Sequence, residues 1–438
     1  TIVQGDAGLL FGQHVDSRPA QGSAAGILEF ATDLFDRSTI ERWTKYFLTL
    51  LDAAIGDPAE AIGDLPLHEA DGSEIERWSR GTDLFDATDV TLADLLVDRV
   101  EASADDVAVV GDSSQLTYRE LDRVVGTLAA RLVELGVGPD VAVAISVPRS
   151  VALAACVYAV AAAGGQVVPV DGDAPADRVA YIFETADVRV LIASHEPDES
   201  GLKVQAVASE AGIHVVAFGD ADVDALRSSV NAPRIRDARR ASERAGAESA
   251  AYTMFTSGST GRPKGVVVST RAAVAHLLHD EAEYGFDATD VFAQVLSITF
   301  DPAMSEFYRS IVSGGRLVML RPGEQRDAKA LVATMIRHQV TSVILVPSLL
   351  SAILDATTAE ECAAVPLHTM AVGGEAMPQR LVDDVHAIWP GVRVSNQYGP
   401  TEATIYATRA DLEDGGTVTI GKPVSYTVAY VLDARLHR

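Results

Sequence analysis

Cysteine is nearly absent from this 438-residue chain, which carries only Cys156 and Cys362. Two thiols exclude a disulfide framework and leave no cysteine-based metal set. Cys156 sits in an apolar, helix-like run, where a buried thiol is expected rather than a nucleophile. Basic residues are also scarce: 35 Lys and Arg stand against 62 Asp and Glu, a formal net charge of −27. That excess repels a phosphate backbone and argues against nucleic acid as a partner. Any phosphate-bearing ligand must then be held locally, by a dedicated loop. The longest apolar run, residues 151–163, falls short of the roughly 20 residues that a membrane span needs. The opening TIVQGDAGLL has neither the basic flank nor the apolar core of a signal peptide. These absences read as a cytoplasmic protein with no membrane partner. The ten histidines are scattered, and none has metal-ligand spacing with Cys or carboxylates.

What is present is ordinary globular material, 48% hydrophobic and 22% charged. At roughly 150 residues per domain the length suggests about three structural units. Residues 1–67 form the first. GILEFATDLFD reads as a short strand and a turn, followed after Asp36 by an amphipathic helix with Ile40, Trp43, Phe47, Leu50 and Leu51 on one face. Gly56-Asp57-Pro58 stops it. Residues 68–91 are polar and read as a linker whose anchors are Ile75, Trp78, Leu84 and Phe85. From residue 92 onward helix and strand patterns alternate. Fully apolar strands are expected at 141–147, 167–170 and 188–193, then at 291–298, 316–320, 342–346 and 369–372. Such strands with helices between them indicate α/β architecture, a parallel sheet covered on both faces. A second α/β block is expected to start at Tyr252, with 220–249 as a charged surface excursion between the blocks.

The sharpest motif is TSGSTGRPKGV (residues 256–266), just after the strand-like SAAYTMF. Glycines accept the positive φ angles of an anion-binding nest, and small hydroxyls add donors. Thr256, Ser257, Ser259 and Thr260 supply those hydroxyls, Gly258 and Gly261 the turn, and Lys264 one cation. A triphosphate suits this cradle. It is not a Walker loop, because Pro263 stands where GxxxxGK requires glycine before the lysine. The competing reading is a flexible surface turn.

The segment resembles the phosphate loop of the adenylate-forming superfamily, which includes acyl-CoA synthetases, luciferases and the adenylation domains of nonribosomal peptide synthetases. Further matches follow in the family's order: LTYRELD (116–122), AAAGGQVVPVD (161–171), FDPAMSEFY (300–308), GGEAMP (373–378) and NQYGPTEAT (396–404). The resemblance covers roughly residues 92–432. It implies a large subdomain with two βαβ-type layered sheets and the start of a β-barrel part, the C-terminal small domain being absent. Residues 92–438 would form this truncated adenylation core. Residues 1–67 resemble the tail of a condensation domain without its catalytic histidine motif.

The resemblance assigns roles that the residue chemistry accommodates. Tyr398 can stack on a purine, Asn396 can meet its edge, and Gly374, Glu375 and Gly399 belong to the nucleotide motifs. Thr401 would hold a phosphate oxygen, and Glu402 is a hard oxygen ligand suited to Mg²⁺. Lys264, Thr401 and Glu402 would thus be the catalytic set. An aspartate at position 301 pairs, in peptide synthetase members, with an α-ammonium group, whereas it would oppose a fatty acid's charge. The alternative for Asp301 is a turn or capping residue before Pro302. Carried over by motif, the amino-acid pocket comprises Asp301, Pro302, Ser305, Leu345, Ala371, Gly373, Gln397, Ile405 and Tyr406. Small Ser305 and Gly373 suggest room for a medium or large side chain, and Asp301 is the pocket's single ionisable group, so a strongly charged side chain would lack a partner.

The implied reaction is ATP-dependent formation of an aminoacyl adenylate. Transfer to the phosphopantetheine thiol of a carrier domain would follow. The implied cofactors are ATP, Mg²⁺ and that phosphopantetheine. Carrier and condensation domains of the same polypeptide are expected partners, and an MbtH-like activator is an open question. The family's downstream ribose-binding TGD motif and small domain with its catalytic lysine do not occur before Arg438. Little adenylation is therefore expected of residues 1–438 alone. An aryl- or acyl-CoA ligase of the same superfamily, and a non-catalytic piece of a megasynthase, are the rival readings.

Overall fold

The computed structural model describes residues 2–4, 11–12, 27–66, 73–83, 89–241, 245–257, 262–434 and 436. The chain divides into two compact units, Thr1–Trp78 and Ser79–Arg438. In the first, the strand Ile27–Phe30 pairs in parallel with Ile2–Gln4 and antiparallel with Phe11–Gly12. The helix Arg37–Gly56 follows Asp36, as the apolar periodicity predicts, and ends at Asp57. Ile40 is its one buried residue; Phe47 and Leu51, of the same stripe, are exposed.

The second unit holds two sheets. The larger has nine strands, in spatial order Lys422–Pro423, Thr408–Leu412, Arg393–Tyr398, Thr369–Gly373, Ser342–Leu345, Val291–Gln294, Arg316–Met319, Val107–Val110 and Gln115–Thr117. Its six middle strands are parallel, and the edges are antiparallel. The parallel strands are buried along almost their whole length, matching the continuous apolar runs read from the sequence. Val291–Gln294 lies between Arg316–Met319, the next strand in the chain, and Ser342–Leu345, the one after. The chain order therefore reverses there, the position at which open α/β sheets generally bind ligands, beyond the carboxyl ends of the strands.

The second sheet has six strands: Lys264–Ser269, Ala250–Thr256, Gln166–Pro169, Ala142–Ser146, Val190–Ala193 and His214–Ala217. The helix Val151–Ala162, apolar all round, has every residue but Ala161 buried. A helix with no polar face can only be stable enclosed by other elements, and Cys156 is enclosed with it.

Three expectations are corrected. The two sheets are not consecutive blocks. Val107–Val110, early in the chain, joins the nine-stranded sheet, and Ala250–Thr256 joins the six-stranded one through Tyr252 and Val167. Periodicity identifies strands but not their partners. Residues 220–249 are not a surface excursion. The helices Asp220–Arg227 and Ile235–Ala241 pack on Tyr118–Glu134, and Ile235 is fully buried. Two residues of Tyr118–Glu134 admit them. Asp122 accepts the Ile235 N–H at 2.9 Å and pairs with Arg234, and Gly126 lies so close that a Cβ would fall 2.5 Å from the Pro233 carbonyl oxygen.

Residues 79–81 are more than linker. The Ala429 N–H donates to the Ser79 carbonyl, the Gly81 N–H donates to that of Thr427, and Arg80 bridges Val428. Trp78, an expected anchor, is 63% exposed, and Leu84 and Phe85 lie outside the described residues. The strands near the C-terminus, where the start of a barrel-like part is expected, extend the large sheet antiparallel, and among the described residues no closed barrel forms.

Candidate active site

The site is built at the reversal point of the nine-stranded sheet. The chain leaves Val291–Gln294, passes through residues 295–301 and enters the helix Pro302–Ser313. Proline at the first helical position loses no hydrogen bond there. Asp301 stands at the cap but does not cap its own helix. Its Oδ2 instead accepts the Ile405 N–H at 3.0 Å, and the carboxylate also accepts the Thr401 hydroxyl. Asp301 is only 7% exposed. Burial raises its carboxyl above the ordinary value, the two hydrogen bonds oppose this, and Glu402 adds to the rise. Among the described residues no cation pairs with it. A buried carboxylate with neutral partners alone is an electrostatic vacancy for a positive group.

The partners of Asp301 arrive from the neighbouring motif. Arg393–Tyr398 ends at the YGPT turn, and Tyr398 then pairs antiparallel with Thr408. Gly399 fits because a Cβ there would meet the Ala407 nitrogen at 2.5 Å. Thr404 and Ile405 both adopt left-handed backbone, with φ of 61° and 67°. Two consecutive β-branched residues in that region mark strain, held here because it delivers the Ile405 N–H to Asp301.

The strands that flank the TSGSTGRPKG motif pair as a hairpin. Thr256 and Lys264 are register partners at the open end of an antiparallel hairpin, so the intervening loop starts and ends at adjacent points. Thr256 is half-buried, and Ser257 and Lys264 are exposed. Gly258, Ser259, Thr260 and Gly261 lie outside the described residues. The strand Lys264–Ser269 runs beside the Thr401–Ala403 turn, with Cα atoms within 8 Å. The structure thus brings Lys264's strand, Thr401, Glu402 and Asp301 into one neighbourhood. The hairpin closes the edge of the six-stranded sheet, not the start of the nine-stranded one as the block reading implies.

Other expected residues have commitments within the fold. Asn396 donates from Nδ2 to the Thr419 carbonyl at 2.8 Å, and Gln397 from Nε2 to the Tyr284 hydroxyl at 2.9 Å. Glu375 accepts from the Ser348 N–H and hydroxyl, while Gly374 takes a φ of 79°. Leu345 and Ala371 are buried within strands, and Gly373 faces Gln397 so closely that a Cβ would fall 2.7 Å from its carbonyl oxygen. Tyr406 is buried with its hydroxyl donating to Asp280, which also pairs with Arg309 at 2.7 Å. Tyr398 is 56% exposed. Glu402 is exposed, Pro302 and Thr401 half-buried. Among the described residues no group of three or more His, Cys, Asp or Glu is set to hold a metal.

Sequence reasoning missed the support beneath Asp301. Glu306, buried on the same helix, accepts the Val295 and Leu296 N–H groups and Gln294 Nε2. Arg149 donates to the carbonyls of Val295 and Leu296 from the other side. Burial pushes the Glu306 carboxyl up to about 7 against these hydrogen bonds and Arg149. The signal was an acid placed in an otherwise apolar helix pattern, AMSEFY.

Two of the expected pocket residues also line a small chamber. Ser305 and Ile405 share a chamber with Tyr252, Met304 and Tyr308 whose free volume is about 10 Å³.

The family model described as AMP-binding enzyme matches residues 96–438. Tyrocidine synthase 3 of Brevibacillus parabrevis is 31% identical over 412 residues, covering 94% of this chain and 6% of that protein. Phosphinothricin tripeptide synthetase PhsB of Streptomyces viridochromogenes is 32% identical over 430 residues, covering 95% of this chain and 34% of that protein. Among solved structures, holo-AB3403, a four-domain nonribosomal peptide synthetase bound to AMP and glycine, superposes with a TM-score of 0.79. It is 22% identical and matches 98% of this chain against 30% of its own. The synthetase FmoA3 in its α-methyl-L-serine-AMP form superposes with a TM-score of 0.76 at 22% identity, over 92% of this chain and 44% of its own. The chain spans about a third or less of the two curated relatives named here. The motif-bearing hairpin, the YGPT turn and the buried Asp301 accordingly belong to a chain that is a member of the AMP-binding enzyme family.

Proposed function

We propose that this chain activates an amino acid with ATP, forming an aminoacyl adenylate for nonribosomal peptide synthesis. The observation that carries the reading is Asp301, a buried carboxylate without a cation, beside Thr401 and within the fold of an AMP-binding enzyme. An α-ammonium placed there gains a charge-assisted hydrogen bond and replaces the Ile405 N–H. The substrate's carboxylate oxygen then attacks the α-phosphorus of ATP. A mixed anhydride forms, the bond to the β-phosphate oxygen breaks, and pyrophosphate leaves.

In this reading Lys264, Thr256 and Ser257, with Ser259, Thr260 and the glycines between, bind and neutralise the departing phosphates. Thr401 orients a phosphate oxygen, and Tyr398 stacks on the purine. Glu402 fits Mg²⁺ as a single exposed carboxylate, since that ion keeps waters and takes phosphate oxygens as its remaining ligands. When bound, Mg²⁺ would supply charge neutralisation on the phosphates. Asn396 and Glu375 serve the nucleotide site as positioning residues, because their side chains already hold Thr419 and Ser348.

The acyl group would pass to the phosphopantetheine thiol of a carrier domain, with AMP as the leaving group. Residues 1–67 are read as the tail of a condensation domain, 68–91 as a connector and 92–438 as the adenylation core; the similarity of nearly the whole chain to multidomain synthetases supports this arrangement. No described helix is long and apolar enough to cross a membrane, consistent with a cytoplasmic site of action.

The test is amino-acid-dependent exchange of pyrophosphate into ATP by the intact synthetase. Asp301→Ala is expected to lower exchange about 10- to 100-fold, through amino-acid KM, while ATP KM stays unchanged. Unaltered amino-acid KM would overturn the role of Asp301. Efficient discharge onto free CoA would favour a CoA ligase.

A further inference from the structure

Asp301, Ser305 and Tyr308 fall at i, i+4 and i+7 along the Pro302–Ser313 helix, so they share one face at successive turns. Ser305 and Tyr308 lie about 6 and 10 Å beyond Asp301 along the helix axis. Ser305 and Tyr308 line the chamber described above, with Tyr252 entering from the six-stranded sheet. The remaining walls are apolar: Leu92, Val167, Leu277 and Met304 among them. Ile405, which donates to Asp301, closes the chamber on the carboxylate side. The field of Asp301 also reaches the Tyr252 phenol.

Three residues that line this chamber carry hydroxyls, Tyr252 Oη, Ser305 Oγ and Tyr308 Oη, that are buried without a hydrogen-bond partner. Their residues are 1%, 1% and 2% exposed. Burying one hydroxyl unsatisfied is costly, and three around one hollow indicate a polar guest rather than three independent defects. The guest must be small, because about 10 Å³ admits a single water-sized group. It must also be uncharged, since the chamber offers no counter-ion. A hydroxyl meets both conditions and can donate to one phenol while accepting from another.

We infer that the side chain accepted here is short and ends in a hydroxyl, held by Ser305, Tyr308 and Tyr252 beneath the ammonium site at Asp301. This rests on the amino-acid-activating reading above. It makes Tyr252 and Tyr308 specificity-determining residues, although neither belongs to the pocket set inferred from sequence.

The test is pyrophosphate exchange by the intact synthetase with isosteric pairs: serine against α-aminobutyrate, and threonine against valine. Asparagine, glutamine, leucine and phenylalanine complete the panel. The hydroxylated member of one pair is expected to lead, with kcat/KM at least about tenfold above its apolar isostere. Tyr308→Phe should cut that ratio severalfold through amino-acid KM, leaving ATP KM unchanged. Ser305→Ala should act in the same direction and is the smaller change if the first variant folds poorly. Preference for an apolar isostere or a carboxamide, or a ratio that neither variant alters, overturns the inference while leaving amino-acid activation intact. If no amino acid supports exchange, both readings fall.

Discussion

The backbone N–H of Ile405 occupies Oδ2 of Asp301 at 3.0 Å, and Ile405 reaches it only through a left-handed turn. The contact links two motifs over 100 residues apart in the chain and ties Asp301 to the YGPTEAT segment. In the function proposed above, a substrate ammonium would compete for the same oxygen.

The strain of that left-handed turn is measurable. Thr404 has a φ of 61° with a β-branched side chain, and glycine takes this angle without penalty. Thr404→Gly is expected to leave stability unchanged or raise it by up to about 1 kcal/mol, where a glycine in an ordinary loop would lower it. Urea unfolding midpoints of the two proteins decide between these outcomes.

Glu306 should leave a signature in the pH dependence of stability. Its carboxyl is raised from 4.5 to about 7 by burial, so the folded state prefers the protonated acid. The unfolded chain ionises first as pH rises, and folding stability therefore falls between about pH 4.5 and 7, then levels off. The full drop is of the order of 3 kcal/mol. Glu306→Gln should remove this fall. Chemical denaturation at pH 5, 6 and 7.5 would show parallel curves for both proteins if Glu306 were not the cause.

His276 acts on the opposite side. Burial lowers its imidazole to about 4, despite Asp280 nearby, and its ring packs edge-on against Tyr406 at 4.5 Å. Acidification from pH 6.5 to 4 protonates the unfolded state first, which costs stability. His276→Phe is expected to flatten this acid limb, read as the change in melting temperature between pH 7 and pH 5.

Asp280 and Arg309 form a fully buried pair beneath Tyr406. Burial works against the Asp280 charge, but Arg309 holds its carboxyl below the usual value. Asp280→Ala leaves the guanidinium buried and unpaired and should cost about 3–5 kcal/mol. The double variant Asp280→Leu with Arg309→Met should recover much of the loss, and a double-mutant cycle on denaturation midpoints measures the coupling.

Gly126 offers a packing test. A Cβ there meets the Pro233 oxygen at 2.5 Å and the Arg234 backbone at the same distance. Gly126→Ala gains helix propensity yet should destabilise by about 1–3 kcal/mol, since backbone cannot yield as a flexible side chain would. Loss of protection in the Ile235–Ala241 helix by hydrogen exchange would localise the effect.

Much of the site was legible because its chemistry is local in sequence. Asp301 before Pro302, the hydroxyl-glycine run after a strand and the YGPTE turn each declare themselves within a few residues. What those residues do inside the fold was not legible. Gln397 and Asn396, read as substrate and purine contacts, already serve Tyr284 and Thr419, partners 113 and 23 residues away. Tyr406 is turned toward Asp280, and Glu375 toward Ser348. Residues 220–249 looked too charged to be buried, yet Gly126 and Asp122 on another helix make a seat for Ile235.

Composition and local pattern were enough to establish an α/β chain with buried parallel strands, and to mark a hydroxyl-glycine run and an acid before a proline as candidate site residues. Side-chain polarity and its period along the chain act over a few residues, and those carry such information. The interleaving of the two sheets, the Ile405–Asp301 contact and the closed chamber with three unpartnered hydroxyls were decided only in three dimensions. They depend on which surfaces meet across long stretches of chain, where volume and hydrogen-bond geometry, and not the neighbouring residues, select the partner.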